Sequence, residues 1–210
     1  MRVAKLLVAT HNPHKLEEIR AILNPLISGF DPRSVVSAAE FDIAEPVEDA
    51  LTFEGNALIK ARTIARKTGM PTIADDSGLA VDVLGGAPGI FSARWCGRHG
   101  DDEANLDLLL GQLADVPAEH RGAQFVCAAA LVLPGGAEWT TEGVMKGRLR
   151  HERAGLNGFG YDPIFEPEGY TVTNAELDPA VKNRISHRFR AFSALGRHIA
   201  EQVYWTGDIC

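Results

Sequence analysis

Cysteine is scarce in this chain of 210 residues. There are three, Cys96, Cys127 and Cys210, and no CxxC spacing. An odd, sparse set fits reduced thiols better than a disulfide framework. Long apolar runs are missing too. The longest, Phe125 to Leu133, falls far below the roughly 20 residues of a membrane span. The first residues, MRVAKLLVATHN, lack an apolar stretch followed by a small-residue cleavage site. These absences predict a cytoplasmic protein that is neither secreted nor membrane-bound. Basic charge is also in deficit: 21 Lys and Arg face 28 Asp and Glu, for a net charge of −7. That balance disfavours a general binder of nucleic-acid backbone, whose affinity comes from neutralising phosphates. It leaves room for a small phosphorylated ligand in a locally basic pocket. There is no internal repeat, low-complexity tract or flexible linker.

What remains is ordinary for a globular chain, with 45% apolar and 23% charged residues. The length suits one domain, or two lobes sharing a core. Strand-like and helix-like patterns alternate, which argues α/β. Val3 to Ala9 reads as a buried strand. Leu16, Ile19, Leu23 and Leu26 fall at helical spacing. Val35 and Val36 suggest a short second strand. Leu51 to Thr68 reads as a helix striped by Leu58, Ala61, Ile64 and Ala65, with Gly69 as its C-terminal cap and Pro71 as a stop. Thr72 to Ala74 predicts a strand running into Asp75-Asp76-Ser77-Gly78, and Gly85 to Gly89 a loop. Asp101 or Asp102 is placed to cap a helix carrying Leu106, Leu109, Leu110 and Leu113. Phe125 to Leu133 and Glu138 to Leu149, joined by Pro134-Gly135-Gly136, predict a long β-hairpin. Ser186 can cap a final helix with Phe189, Phe192, Leu195 and Ile199 inward.

Five segments could carry chemistry. Thr10-His11-Asn12-Pro13-His14-Lys15 joins the first strand to the first helix. Such a turn offers unpaired N–H groups and the positive end of a helix dipole to an anion. The glycines of a Walker motif are missing, and a capped turn with a solvated lysine is the plainer account. The stretch Glu40 to Glu54 holds six carboxylates and no Lys or Arg. Usually such a run is a solvated face. Here it leads into a helix with Asn56 and Lys60 one turn apart, so one carboxylate, Glu48 first among them, could reach a metal.

Asp75 and Asp76 end an apolar strand, where adjacent carboxylates repel and lose hydration. Mg²⁺ is the default compensation, since it takes oxygen ligands and bridges phosphates. A carboxylate there can also act as general base. An Asx turn is the competing account. Gly158-Phe159-Gly160-Tyr161-Asp162-Pro163 places two rings and a carboxylate on a glycine-rich turn. It reads either as a base-stacking platform or as an aromatic core corner. Lys182 to Arg190, KNRISHRFR, is the strongest local charge reversal in the chain. Cations oppose the dipole at a helix start, which points to an anionic or carbonyl-bearing ligand.

Taken together, THNPHK, LTFEGNALIKA, ADDSGLAVDVLGGAPGIFSARW, GFGYDPIF and KNRISHR, in this order, resemble the inosine triphosphate pyrophosphatase family (XTP/dITP diphosphatases). The resemblance spans nearly the whole chain. It implies a single domain over residues 1–210, with an elongated mixed β-sheet flanked by helices and two lobes with a cleft between them. It implies a homodimer and hydrolysis of ITP, dITP and XTP to the monophosphate and pyrophosphate. By motif, Thr10, His11, Asn12, Pro13, His14 and Lys15 would bind phosphate. Asp76 would be proton acceptor and Mg²⁺ ligand, with Glu48 as a further metal ligand, in competition with Glu45 and Asp49. Ser77 would contact substrate. Phe159, Gly160, Tyr161, Asp162, Lys182, His187 and Arg188 would hold base and sugar. A pyrophosphatase for modified pyrimidine nucleotides and a silent nucleotide-binding protein are the alternative readings.

Overall fold

The computed structural model describes residues 5–203. The side chain of His14, Cys210 and the Tyr204-Trp205 pair lie outside the described residues. The elements are β1 (Leu6–Val8), α1 (Pro13–Leu23), β2 (Val35–Ser37), α2 (Phe53–Thr68), β3 (Thr72–Val81), α3 (Asp102–Gln112), β4 (Gly122–Val132), β5 (Glu138–Leu149), β6 (Phe165–Pro167), α4 (Pro179–Ile185) and α5 (His187–Gln202). The strands form one six-stranded sheet in the order β2-β1-β3-β4-β5-β6. It is mixed: β1 pairs parallel with β2 and β3, while β5 and β6 run antiparallel. The expected mixed α/β class is thus observed.

The chain divides into two compact units. The first holds residues 1–76, 127–143 and 188–210; the second holds 77–126 and 144–187. In the first, strand alternation separates two cores. Leu6, Val8, Ile73, Cys127, Ala129 and Leu131 pack with α1 and α5, through Ile19, Leu23, Phe192, Leu195 and Ile199. Their neighbours Ala74, Ala130 and Val132 pack with Ala57, Ala61 and Ala65 of α2. Successive side chains on a strand point to opposite faces, so adjacent residues of β3 meet different helices. Small alanines let α2 lie close to the sheet. The second unit has its own core, centred on Leu79, Leu106, Leu109, Phe125, Leu149 and Phe165. There the buried Arg121 guanidinium donates to the carbonyls of Leu113, Leu149 and Arg150.

Local chemistry sets the helix ends. Pro13 opens α1 behind Asn12, whose Oδ1 accepts from the Lys15 amide at 3.4 Å. Thr52 caps α2 by accepting from the Gly55 amide, and Gly69, at φ 67°, closes it in the left-handed region. Asp101 rather than Asp102 caps α3. Two expectations shift. The first helix ends at Leu23, and Leu26 is exposed. Strand β3 runs on to Val81, so Asp75 and Asp76 sit within it rather than past its end. Ser186 stands, with extended backbone, directly before α5, and its hydroxyl donates to the Asn183 carbonyl. Cys96 and Cys127 are free thiols.

Candidate active site

The β1–α1 turn places Thr10 at the buried end of β1. Its Oγ1 accepts from the Asn12 amide at 3.1 Å, and its carbonyl accepts from the Ser37 hydroxyl at 2.5 Å. His11 is exposed, with Nδ1 2.9 Å from Glu45 Oε1. Glu45 is thereby engaged with the turn. Lys15 points from the first turn of α1 to the next strand but one, with Nζ 3.3 and 3.4 Å from the Asp75 carboxylate oxygens.

Asp75 is 4% exposed. Besides Lys15, it receives Nε and Nη2 of Arg188 at 3.3 and 3.4 Å. Arg188 also donates to Glu18 Oε2 at 2.7 Å. Burial alone would push the Asp75 carboxyl up. The Lys15, Arg188 and Lys60 charges outweigh burial and hold it well below the usual carboxylate range. Burial likewise pulls against the Arg188 charge, yet Asp75, Cys127 and Glu18 leave it more firmly protonated than usual.

Asp76 faces the other way, towards α2. Its Oδ2 accepts from Asn56 Nδ2 at 3.0 Å, and its Oδ1 lies 3.6 Å from Lys60 Nζ. Lys60 also donates to Glu48 Oε1 at 3.1 Å. Strand alternation gives each acid its own nearest basic partners. Compensation is incomplete only at Asp76. Burial raises its carboxyl; Lys60 and the Asn56 bond oppose this, Glu48 and Asp75 add to it, and the net direction is up. Lys60 moves up as well: burial would lower it, but Asp76, Asp75 and Glu48 prevail.

A metal can be tested against this donor set. Among the described residues, no three His, Cys, Asp or Glu side chains cluster closely enough to enclose one. Glu48 and Asp76 converge on Lys60, offering two hard carboxylates with one ammonium between them. Such a set suits a hard cation whose remaining positions are filled by water and phosphate oxygens.

In the second unit Asp162 is the organising group, 4% exposed. It accepts from Lys182 Nζ at 2.5 Å, from the Phe159 amide at 3.0 Å and from Asn174 Nδ2 at 2.9 Å. Lys182 stands 5.2 Å over the Phe159 ring, which is 54% exposed. Gly160, at φ 59°, donates its amide to Asp102. Tyr161 is core: its hydroxyl donates to the Ser92 carbonyl at 2.9 Å, and burial pushes its ionisation up. His187 stacks on Phe125 with ring centroids 5.0 Å apart. Ser77 is half-buried on β3. Next to it, a Cβ on Gly78 would lie 2.5 Å from the Gly89 carbonyl oxygen, so glycine lets the 85–92 loop close on the strand.

Sequence reasoning placed Asn56 and Lys60 on one helix face without assigning them to the site. The polar face of α2, four residues apart and buried, was their signal. Glu18 and Asn174 gave none, because their partners lie 170 and 12 residues away.

The site is a mixed α/β sheet carrying Asp76 on its third strand, with Lys60 and Glu48 beside it. Residues 6–198 match the model of the Ham1 family, and the chain belongs to that family. It is 57% identical over 193 residues to the dITP/XTP pyrophosphatase of Streptomyces avermitilis, covering 92% of this chain and 96% of that protein. The crystal structure of a Mycobacterium abscessus nucleoside-triphosphatase (dITP/XTP pyrophosphatase) matches with a TM-score of 0.75 at 53% identity, covering 91% and 98% of the two chains. A HAM1 protein structure from Coxiella burnetii gives a TM-score of 0.84 at 37% identity, covering 93% and 98%.

Proposed function

We propose that the protein is a nucleoside triphosphate pyrophosphatase that hydrolyses dITP, XTP and ITP to the monophosphate and pyrophosphate, and so cleanses the nucleotide pool. The observation that carries this reading is Asp76, a carboxylate on β3 held between Asn56 and Lys60, with Glu48 converging on the same lysine. Asp76 takes the proton of the attacking water while the bond between the α and β phosphates breaks. Lys15 and the turn of residues 10–15, Pro13 and the His14 position included, hold phosphate oxygens. Mg²⁺ held by Glu48 and Asp76 would neutralise triphosphate charge when bound.

In this reading the base is held by the residues that the motifs assign to it. The exposed Phe159 ring offers a stacking face, while Lys182 beside it supplies a donor. Ser77, Gly160, Asp162 and His187 complete the substrate set in this reading, while the buried Tyr161 and Arg188 back it from the core, engaged with Ser92 and with Asp75 and Glu18. A 6-oxo purine gives a donor its acceptor; the adenine amine leaves it unpaired. Sites built to hydrogen-bond a substrate group can discriminate by roughly 10⁴-fold.

Residues 1–210 are taken as one domain acting in a cytoplasmic homodimer, a state that sedimentation equilibrium measures. Among the described residues no helix is long and apolar enough to cross a membrane. The test of function is pyrophosphate release across dITP, XTP, ATP, GTP and dUTP, with and without Mg²⁺. Release from dITP and XTP that requires the metal is expected. Preference for dUTP would mark a pyrimidine enzyme instead, and no release at all a binding protein.

A further inference from the structure

Asn56 is fully buried, on the first full turn of α2. Both ends of its amide are used. Oδ1 accepts from the Ala50 amide at 3.0 Å, and Nδ2 donates to Asp76 Oδ2 at 3.0 Å. The first bond ties down the segment that carries Glu48. The second leaves Asp76 Oδ1 as the oxygen turned to Lys60. The opposite amide orientation would set an oxygen against a carboxylate and an NH₂ against an N–H, so the two partners fix the direction of the side chain. Gly55 makes the arrangement possible from below. A Cβ there would lie 2.6 Å from the Ala50 Cβ, so only glycine lets the 48–52 segment descend onto the helix start.

We propose that Asn56 is a positioning residue that sets the aim of Asp76 and couples it to the Glu48 segment. Through one rigid amide, the two carboxylates assigned to the reaction hold a fixed spacing. This inference rests on the pyrophosphatase reading for its consequence in turnover, but its geometry can be tested without substrate.

The two functions of the amide separate by substitution. Asn56→Asp keeps an acceptor for the Ala50 amide and replaces the donor to Asp76 by a repelling carboxylate. Asn56→Ala removes both bonds. Three measurements are made on folded, metal-free or metal-loaded protein as each requires. Crystal structures should show the Asp76 carboxylate turned away in Asn56→Asp. Hydrogen exchange at the Ala50 amide should stay slow in Asn56→Asp and become fast in Asn56→Ala. With dITP and Mg²⁺, kcat should fall roughly 10- to 100-fold in both variants, with KM changed far less in Asn56→Asp, as expected for the loss of a hydrogen bond to a charged group. An Asp76 carboxylate that stays in place in Asn56→Asp overturns the proposal, whatever the activity. So does a kcat that falls only in Asn56→Ala, which would leave Asn56 as a clamp on the segment alone. If the wild-type protein releases no pyrophosphate from dITP, the functional reading fails, while the crystallographic and exchange results still decide the role of Asn56.

Discussion

Replacing Arg188 by Met keeps most of the volume and removes a charge that is 5% exposed. Asp75, 4% exposed, then keeps Lys15 as its near partner, at 3.3 Å, and loses two donors on Oδ2. Glu18 also loses its partner but is open enough to hydrate. Breaking a buried pair from one side costs about 3–5 kcal/mol, because the remaining charge stays desolvated. For a chain of this size each kcal/mol shifts Tm by roughly 2–4 °C, so a fall of about 6–20 °C is expected at neutral pH.

The pH dependence gives the sharper test. The folded Asp75 carboxyl lies below its unfolded value. Its contribution to stability is therefore present above about pH 4 and is lost as pH falls through the folded value. Without Arg188 that carboxyl rises, and Asp75 can escape its penalty by taking up a proton. Urea unfolding of wild type and Arg188→Met from pH 8 to pH 4 should show a gap that is widest near neutrality and narrows on acidification. Adding Asp75→Asn should recover much of the loss, since removing both members of a buried pair is far milder than removing one. A pH-independent gap, or one under about 1 kcal/mol at pH 7, would refute the reasoning.

Asp76→Asn should keep the melting temperature and lower kcat on dITP by about 10²- to 10⁴-fold, the usual contribution of a general base; near-wild-type turnover would contradict its assignment. Lys15→Ala should raise KM for every triphosphate by a similar factor, since a phosphate contact does not sense the base; unequal losses across dITP, XTP and ATP would move Lys15 to base selection. Gly55→Ala should cost roughly 1–3 kcal/mol through the clash with Ala50 and lower kcat with it. Unfolding and turnover measured together would show both losses, and an unchanged enzyme would mean the 48–52 segment yields without consequence.

The regular parts of the fold were legible wherever one local rule settled the matter. Gly69 closes α2 as read, because capping is decided within a few residues, while the Thr52 cap moves the helix start from Leu51 to Phe53. The β4–β5 pair shows as an apolar run and a mixed, half-buried strand around Pro134-Gly135-Gly136. Helix α4 was not legible: it has seven residues, opens on Pro179 and has no buried stripe. The extension of β3 through Asp75 and Asp76 was hidden for a different reason. Acidic residues are poor strand formers on average, and here tertiary partners override that tendency. Lys15 comes from 60 residues away and Arg188 from 113. No window along the chain contains those charges together.

The same alternation explains how one dipeptide serves two purposes. Asp75 turns to the α1 and α5 face, where its charge is saturated by Lys15 and Arg188 and its proton affinity falls. Asp76 turns to the α2 face, where one lysine is shared with Glu48 and its proton affinity rises. Each side chain is one peptide unit from the other, so their backbone environments scarcely differ; the helix each one meets makes the difference. A one-residue shift in the β1–β3 pairing, now Leu7 with Thr72 and Val8 with Ile73, would exchange the two faces. It would also turn Ala74 towards the larger side chains of α1 and α5 and Ile73 into the alanine-lined face of α2, where the close helix leaves no room for it. The apolar packing that sets the register is therefore also what sends the two carboxylates to different faces and different partners.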